Sequence, residues 1–567
     1  MDKRAKIGLI GGAIALLVII IVAVVTVVGK MTPSKEVKEL SDYYQVPEGD
    51  ALVIMDDIKY EKYAKVFDGV YYMDLNTITS EFDKRYYFDS NENVLVYTTP
   101  TEVIKAEVGS KEYSVNKNKV STSYTVVKRE VDEVYIALDF VQLYSDMRFT
   151  SYQNPDIVMI QKNWGEYLYA TVKSSTQIRT GTSIKTEILK ELRANDKVMI
   201  INNGGSLENG FITVMSEDGV RGYVQKKALS DTFYEEVKST YVAPEYTNIT
   251  RDTTINLTWH LVTVAEANNS VRTLLDGTKG VNVISPTWFR VNSIDGTLSS
   301  LASESYVEYC HSRNVEVWGL IDNFDPNVDI HQVLSRTSTR EKLVNEIIAQ
   351  AIKYNLDGIN IDFESLKVET GPHFVQFLRE LSIKCRSNQI VLSVDNYVPA
   401  SYNRFYDYVE QGKIVDYVVI MAYDEHHANS EVAGSVSSLG YFTNAITSTL
   451  EMVPANKVIV AVPFYTRLWK ESIELGESKL TSEAMGMSEA EQVLSKNGIK
   501  AEKDQATGQY YAEYEKNGVT HKIWLEEEES IDARLKAIYD AKVAGVASWR
   551  LGFEKASIWD IILKYVN

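Results

Sequence analysis

Cysteine is almost absent from this chain of 567 residues, with Cys310 and Cys385 its only two copies. Both fall in helix-like segments and read as buried free thiols, so neither a disulfide framework nor a zinc cluster is expected. No long run of lysine and arginine occurs, and the formal net charge is −19. That balance excludes nucleic acid as an expected partner. Histidine is missing from Val46 to Gln161, which leaves that stretch without a metal-binding signal. Hydrophobic residues at 45% and charged residues at 24% are ordinary for a folded protein. A chain this long outgrows a single core and predicts several domains.

A single unbroken uncharged run is present, from Ile7 to Gly29. At ~1.5 Å per helical residue it spans a hydrocarbon core of ~30 Å. No convincing small-x-small cleavage site follows, and Lys3, Arg4 and Lys6 precede it. Residues 1–30 therefore read as a cytoplasmic tip and an uncleaved transmembrane signal anchor. The remainder would lie outside the cell membrane, on the cell-wall side.

Residues 31–165 are rich in β-branched residues and tyrosine and contain an internal repeat. Val70–Tyr97 can be laid on Val134–Ile160, each reading strand, short helix, strand, turn, strand. Residues 166–240 carry short strands at close spacing, "ATVKSSTQIRTGTSIKTEILKEL", "DKVMIINNG", "GFITVMSEDGVRGYV" and "KKALSD", which predict a small β-barrel. After the linker "YVAPEYTN", residues 250–567 alternate apolar strands with amphipathic helices. Eight strands are expected, from "INLTWHLV" through "GINIDFE" to "GVASWRLG". Before "GINIDFE", Leu343, Val344, Ile347, Ile348, Ala351 and Ile352 mark one helix face, with Ser338-x-x-Glu341 as a capping box. The fold class expected is α/β: a C-terminal (β/α)8 TIM barrel with an α+β insertion, preceded by small β-rich modules and one N-terminal transmembrane helix. The insertion falls between strands seven and eight, where "GQYYAEYEKNGVTHKIWL" predicts a hairpin. "EEEES" (Glu526–Ser530) reads as the solvated start of the helix that follows. An open doubly wound sheet is the alternative fold.

In "LDGINIDFESL" the apolar residues Ile359, Ile361 and Phe363 alternate with Asn360, Asp362 and Glu364. In a barrel strand the apolar parity faces the helices and the polar parity faces the interior. Glu364 then stands at the C-terminal mouth, with Asp362 ~6.6 Å below it along the strand. Two neighbouring carboxylates share protons, which keeps one of them acidic near neutral pH. Asp357, on the other parity at the start of the strand, reads as structural.

"DGINIDFE" resembles the strand-four signature of glycoside hydrolase family 18, Asp-x-x-Asp-x-Asp-x-Glu. Asp357 matches its first aspartate, Asp362 its last and Glu364 its proton donor. Asn360 replaces the middle aspartate of chitinases, a departure seen in members resembling spore-cortex and cell-wall N-acetylglucosaminidases, and is expected to bind substrate. "MAYDEH" resembles the Met-x-Tyr-Asp signature of the sixth strand, so Tyr423 and Asp424 would hold the substrate's N-acetyl group and Met421 would bind substrate. "ASWRLG" puts Trp549 at the end of strand eight, where the family has the floor of its cleavage subsite. Trp288, with Trp259 and Trp318, is a further candidate sugar platform, although core packing is the commoner fate of such residues. The two copies of the internal repeat resemble the copper amine oxidase N-terminal-like stalk, here with no histidine to bind copper. "IRTGTSIKTEIL" and "GVRGYVQKKAL" resemble the bacterial Src-homology-3-like domain, for which peptide binding and a spacer role are both open.

The resemblance implies a retaining, substrate-assisted hydrolase of N-acetylglucosamine-containing glycan. Glu364 would be the acid and Asp362 and Tyr423 would orient the acetamido group, with no metal and no organic cofactor. Anchor, small modules and Asn360 together favour peptidoglycan as the partner. A chitinase, an endo-N-acetylglucosaminidase on non-wall glycans and a non-catalytic glycan-binding protein are the alternatives.

Overall fold

The computed structural model of the protein describes residues 3–201, 208–474 and 477–566. Two compact units result, one of Met1–Tyr86 with Ala106–Ala243, the other of Tyr87–Lys105 with Pro244–Asn567.

The first unit opens with the helix Lys3–Met31, whose stretch Lys6–Met31 reaches a mean hydropathy of 3.1 and is long enough to cross a bilayer. An eight-stranded sheet follows, in which the equivalent strands of the two repeat copies, Val70–Asp74 and Glu133–Ala137, pair antiparallel. Each leads into a seven-residue helix, Leu75–Glu81 and Leu138–Tyr144. Residues 165–237 form a seven-stranded sheet of antiparallel pairs around Ala170, Val198, Val214 and Val224. Within the expected strand "DKVMIINNG", Asn202–Gly204 lie outside the described residues.

The second unit is built on eight parallel strands: β1 (Ile255–His260), β2 (Val283–Pro286), β3 (Glu316–Asp322), β4 (Gly358–Asp362), β5 (Val391–Tyr397), β6 (Tyr417–Met421), β7 (Val458–Pro463) and β8 (Gly545–Trp549). Each pairs with its neighbours in sequence order, and β8 pairs back onto β1, so the sheet closes. The expected (β/α)8 barrel is the observed fold. Closure leaves no exposed edge and puts one parity of every strand inside. Leu257, Trp318, Leu320, Tyr417 and Val419 fill the interior, and Trp318 stacks on Tyr417 at 5.5 Å. A Cβ on Gly358 would meet the Trp318 indole at 2.6 Å, so only glycine fits at the start of β4. On the outer parity Ile359, Ile361 and Phe363 pack against the helices, with Phe363 stacked on Phe377 at 5.6 Å.

The helix Thr337–Lys353 buries Leu343, Val344, Ile347, Ile348 and Ala351 as its spacing requires, but Ile352 is exposed. Its N-terminus does not use the expected Ser338/Glu341 box. The Thr337 amide donates to Asp89 Oδ2 at 2.5 Å and the Ser338 amide to Glu92 Oε2 at 2.9 Å. These carboxylates belong to a short hairpin, Tyr87–Asp89 with Val94–Thr98, which satisfies donors the helix cannot satisfy itself. Glu341 is engaged instead by Lys105 at 2.5 Å.

The insertion after β7 is a five-stranded antiparallel sheet with the helix Met487–Asn497, and it contains the expected hairpin, Gln509–Lys516 with Val519–Leu525. The acidic run that follows starts the next helix as expected and leaves Glu529 exposed, but it is not solvated throughout. Glu526 is buried and ion-paired to buried Arg534 at 2.7 Å, and Glu527 caps the helix Glu528–Ala541.

Candidate active site

A cavity of about 790 Å³ opens at the C-terminal end of the barrel. Asp362, Glu364, Met421, Tyr423, Asp424 and Trp549 all line it, drawn together from β4, β6 and β8 and the residues after them. This is where a parallel barrel exposes its inward side chains to substrate. Asp357 is at the opposite end, where its Oδ2 accepts from His311 Nε2 and from the Val317 amide, each at 2.8 Å. Trp288 is not part of the site. It is 2% exposed in the layer between strands and helices, and its indole Nε1 donates to Asn268 Oδ1 at 2.8 Å. The chain has left the strand at Pro286 and turns, the Trp288 amide donating to the Pro286 carbonyl, so inward parity no longer applies. Trp288 is therefore withdrawn as a sugar platform. Trp318 lies in the barrel interior, and of the three tryptophans only Trp259 reaches the cavity.

Asn360 does not bind substrate as expected: it sits under the cavity outside its lining, fully buried, and its amide is saturated by protein partners. Oδ1 accepts from Trp259 Nε1 at 2.9 Å and Ser285 Oγ at 3.1 Å, while Nδ2 donates to Ser393 Oγ at 3.0 Å and Asp395 Oδ1 at 2.7 Å. Trp259 Nε1 is a pure donor, so it fixes the orientation of the amide and with it the donor aimed at Asp395. Trp259 in turn meets the Trp549 ring at 5.9 Å, which links Asn360 to the cavity floor.

Burial pushes the Asp362 carboxyl well above the usual range, and Asp395, Glu364 and Asp322 push the same way. Its Oδ1 is buried and has no partner among the described residues, an acceptor held ready for a donor. Asp395 is raised by burial, against the pull of the Asn360 amide. Burial also raises Glu364, and the Tyr397 hydroxyl opposes this by donating to Oε2 at 2.7 Å. The Glu364 backbone is clamped by Asn323, which accepts from its amide at 2.9 Å and donates to its carbonyl at 3.0 Å. Carboxyls this close titrate as one set, with a proton retained above the ordinary carboxylate range. Tyr423 remains a phenol, its pKa driven far up by burial. Asp424, at φ 58°, accepts the Tyr465 hydroxyl at 2.5 Å.

Sequence reasoning missed Asp395 and Tyr397 on β5 and Tyr465 and Arg467 on the insertion. The β5 pair had a usable signal, because Ser393, Asp395 and Tyr397 repeat the inward polar parity of Asn360, Asp362 and Glu364. Among the described residues no group of histidine, cysteine and carboxylates is arranged to hold a metal.

Residues 297–554 match the profile of the Glycosyl hydrolases family 18. The barrel is a family 18 glycosyl hydrolase domain. The chain is 27% identical over 285 residues to the uncharacterized glycosylase YvbX of Bacillus subtilis (strain 168), covering 48% of this chain and 80% of that protein. It is 24% identical over 251 residues to the cortical fragment-lytic enzyme of Bacillus anthracis, covering 43% of this chain and 58% of that protein. The spore cortex-lytic enzyme SleL of Bacillus cereus shares the fold with a TM-score of 0.50 at 21% identity, over 59% of this chain and 79% of that one. The match makes the barrel a glycoside hydrolase domain, and its curated relatives include proteins named cortical fragment-lytic enzymes.

Proposed function

We propose that the protein is a membrane-anchored hydrolase of peptidoglycan, cutting next to N-acetylglucosamine by a retaining, substrate-assisted route. The observation that carries this reading is Glu364, a carboxyl with a raised pKa at the cavity, steered by Tyr397 and neighboured by Asp362. Glu364 protonates the glycosidic oxygen as the bond to the anomeric carbon breaks. The acetamido oxygen of the same sugar attacks that carbon, giving an oxazolinium-type intermediate. The open Oδ1 of Asp362 accepts the acetamido N–H, and the Tyr423 hydroxyl donates to the acetamido oxygen. Glu364, now a carboxylate, takes a proton from water, which opens the ring with retained configuration. Asp424, Met421 and Trp549 shape the subsite around the acetamido group.

The wall is favoured over chitin by Asn360, by the apolar helix Lys3–Met31 and by the wall-lytic names of the relatives. The helix Lys3–Met31 would hold the enzyme at the membrane with its barrel on the wall side. Digestion of purified sacculi beside chitooligosaccharides, with mass analysis of the products, tests this. Release of wall fragments ending in N-acetylglucosamine is expected, and Glu364→Gln should lower turnover by ~100-fold or more while still binding glycan. Near-wild-type turnover of that variant would overturn the role of Glu364.

A further inference from the structure

The apolar helix and the small β-domain of residues 165–237 are joined without a flexible linker. Only Thr32 and Pro33 separate Met31, the last helical residue, from Ser34, whose amide donates to the Ile184 carbonyl at 2.8 Å. The Ile188 amide then donates to Glu36 at 2.8 Å and the Lys38 amide to Ile188 at 2.9 Å. Residues 34–38 thus lie along Ile188–Leu192, the edge strand of the seven-stranded sheet, with Val37 and Ile188 in a parallel pair. Arg179, 3% exposed, locks the junction by donating to the Ser34 carbonyl at 3.1 Å and the Thr186 carbonyl at 2.6 Å. The neighbouring loop reaches the helix itself, because Lys185 Nζ donates to the carbonyls of Gly29 and Thr32.

Those bonds set the depth of the loop. The uncharged run Ile7–Gly29 is centred on Val18, and at ~1.5 Å per residue Gly29 lies ~16 Å and Thr32 ~21 Å beyond it. Half a hydrocarbon core is ~15 Å, and the headgroups end ~20–22 Å from the midplane. With the run centred in a bilayer, Lys185 stands in the headgroup layer. Lys30 is at the same level and Lys35 just past it, and all three lysines are exposed. None of them has an acid partner among the described residues, whereas Lys190 and Lys197 of the same domain are paired with Asp218 and Glu235. Lys185 spends two of its three N–H groups on carbonyls and keeps one. Met31 and Val37, at 73% and 62% exposure, add apolar side chains suited to an interfacial zone.

An ammonium held among headgroups finds its countercharge in lipid phosphate. We propose that the loop Gly181–Lys185, with Lys30 and Lys35, is a lipid-binding surface that holds anionic headgroups around the exit of the membrane helix. The inference rests on the membrane-anchor reading above. The small β-domain is then a collar seated on the bilayer. Its edge strand Ile188–Leu192 is filled by the chain's own residues 34–38 and leaves no ladder there for a peptide.

The test uses the full-length protein in lipid nanodiscs, with a fluorophore on Thr182→Cys; Cys310 and Cys385 are buried. Spin-labelled headgroups should quench it at least about threefold more strongly in bilayers containing phosphatidylglycerol than in phosphatidylcholine alone. High salt should shrink that difference. Lys30→Gln/Lys35→Gln should abolish it, and neither side chain bonds a protein group among the described residues, so the junction itself stays intact. Equal quenching in both bilayers, quenching in neither, or a double variant that behaves as wild type overturns the proposal. Inorganic phosphate added to the protein in detergent should leave the fluorophore unchanged; a response would make the ligand a soluble anion and overturn the lipid assignment. If the protein stays in solution when detergent is removed and enters no disc, it is the anchor reading that fails.

Discussion

Replacing Tyr397 by phenylalanine removes one oxygen and tests the electrostatics of the whole cluster. That oxygen donates to Glu364 Oε2 at 2.7 Å and opposes the rise that burial imposes on the Glu364 pKa. A hydrogen bond to a charged group contributes ~1.5–3 kcal/mol, and one pKa unit corresponds to ~1.4 kcal/mol. Complete loss would raise the carboxyl by ~1–2 units. Glu364 lines an open cavity where water replaces part of the bond, so about one unit is expected. The sign follows from the acid's task. Only the protonated form donates to the leaving oxygen, so activity falls as pH rises through the pKa of the cluster. Losing the Tyr397 hydroxyl destabilises the carboxylate, and the alkaline limb moves to higher pH. The assay is kcat/KM on a soluble wall fragment from pH 4 to 10, with circular dichroism confirming the fold. An alkaline limb that stays in place, or moves to lower pH, refutes the reasoning.

Three further substitutions probe the scaffold. Asn360→Asp deletes the donor to Asp395 Oδ1 and buries a third acid; a loss of ~3 kcal/mol is expected at neutral pH. The new carboxyl's folded pKa is raised, so the deficit in Tm should vanish at low pH and widen as pH rises; a deficit indifferent to pH would contradict this. Asp89→Ala removes the cap on Thr337 and should cost ~1–2 kcal/mol, read as faster hydrogen exchange at the Thr337 and Ser338 amides; unchanged protection would show that the cap is dispensable. Arg534→Met strands Glu526, whose pKa is already pushed up to about 7 by burial. A loss of ~3–5 kcal/mol is expected at pH 8 and a smaller one at pH 5, where the lone acid is neutral, measured by chemical denaturation.

The barrel and its acid were legible because both are written in local periodicity. Strand β4 shows its two faces in five residues, and the closed sheet turns one face inward without further information. Long-range partners were not legible. The cap on Thr337 comes from Asp89, 248 residues earlier, and nothing near Ser338 and Glu341 reveals that those residues would leave their own box unused. Trp288 misled because it follows a proline at the end of its strand, where alternation stops. Asp395 and Tyr397 lay on a strand read only for its apolar content, although its polar residues keep the same rhythm as those of β4. The buried Glu526–Arg534 pair shows that a run of like charges need not be solvated along its whole length.

The hairpin Tyr87–Thr98 also separates the order of synthesis from the order of assembly. Asp89 is made 248 residues before Thr337, the residue it caps. At ~5–20 residues per second that interval is ~12–50 seconds. Through that time its carboxylate has no helix to hold, and the cap can form only once Thr337 has been made. A fragment cut at the linker would contain every strand of the barrel and still begin without that cap. The boundary that matters for this enzyme is thus a set of contacts, and no single position along the chain marks it.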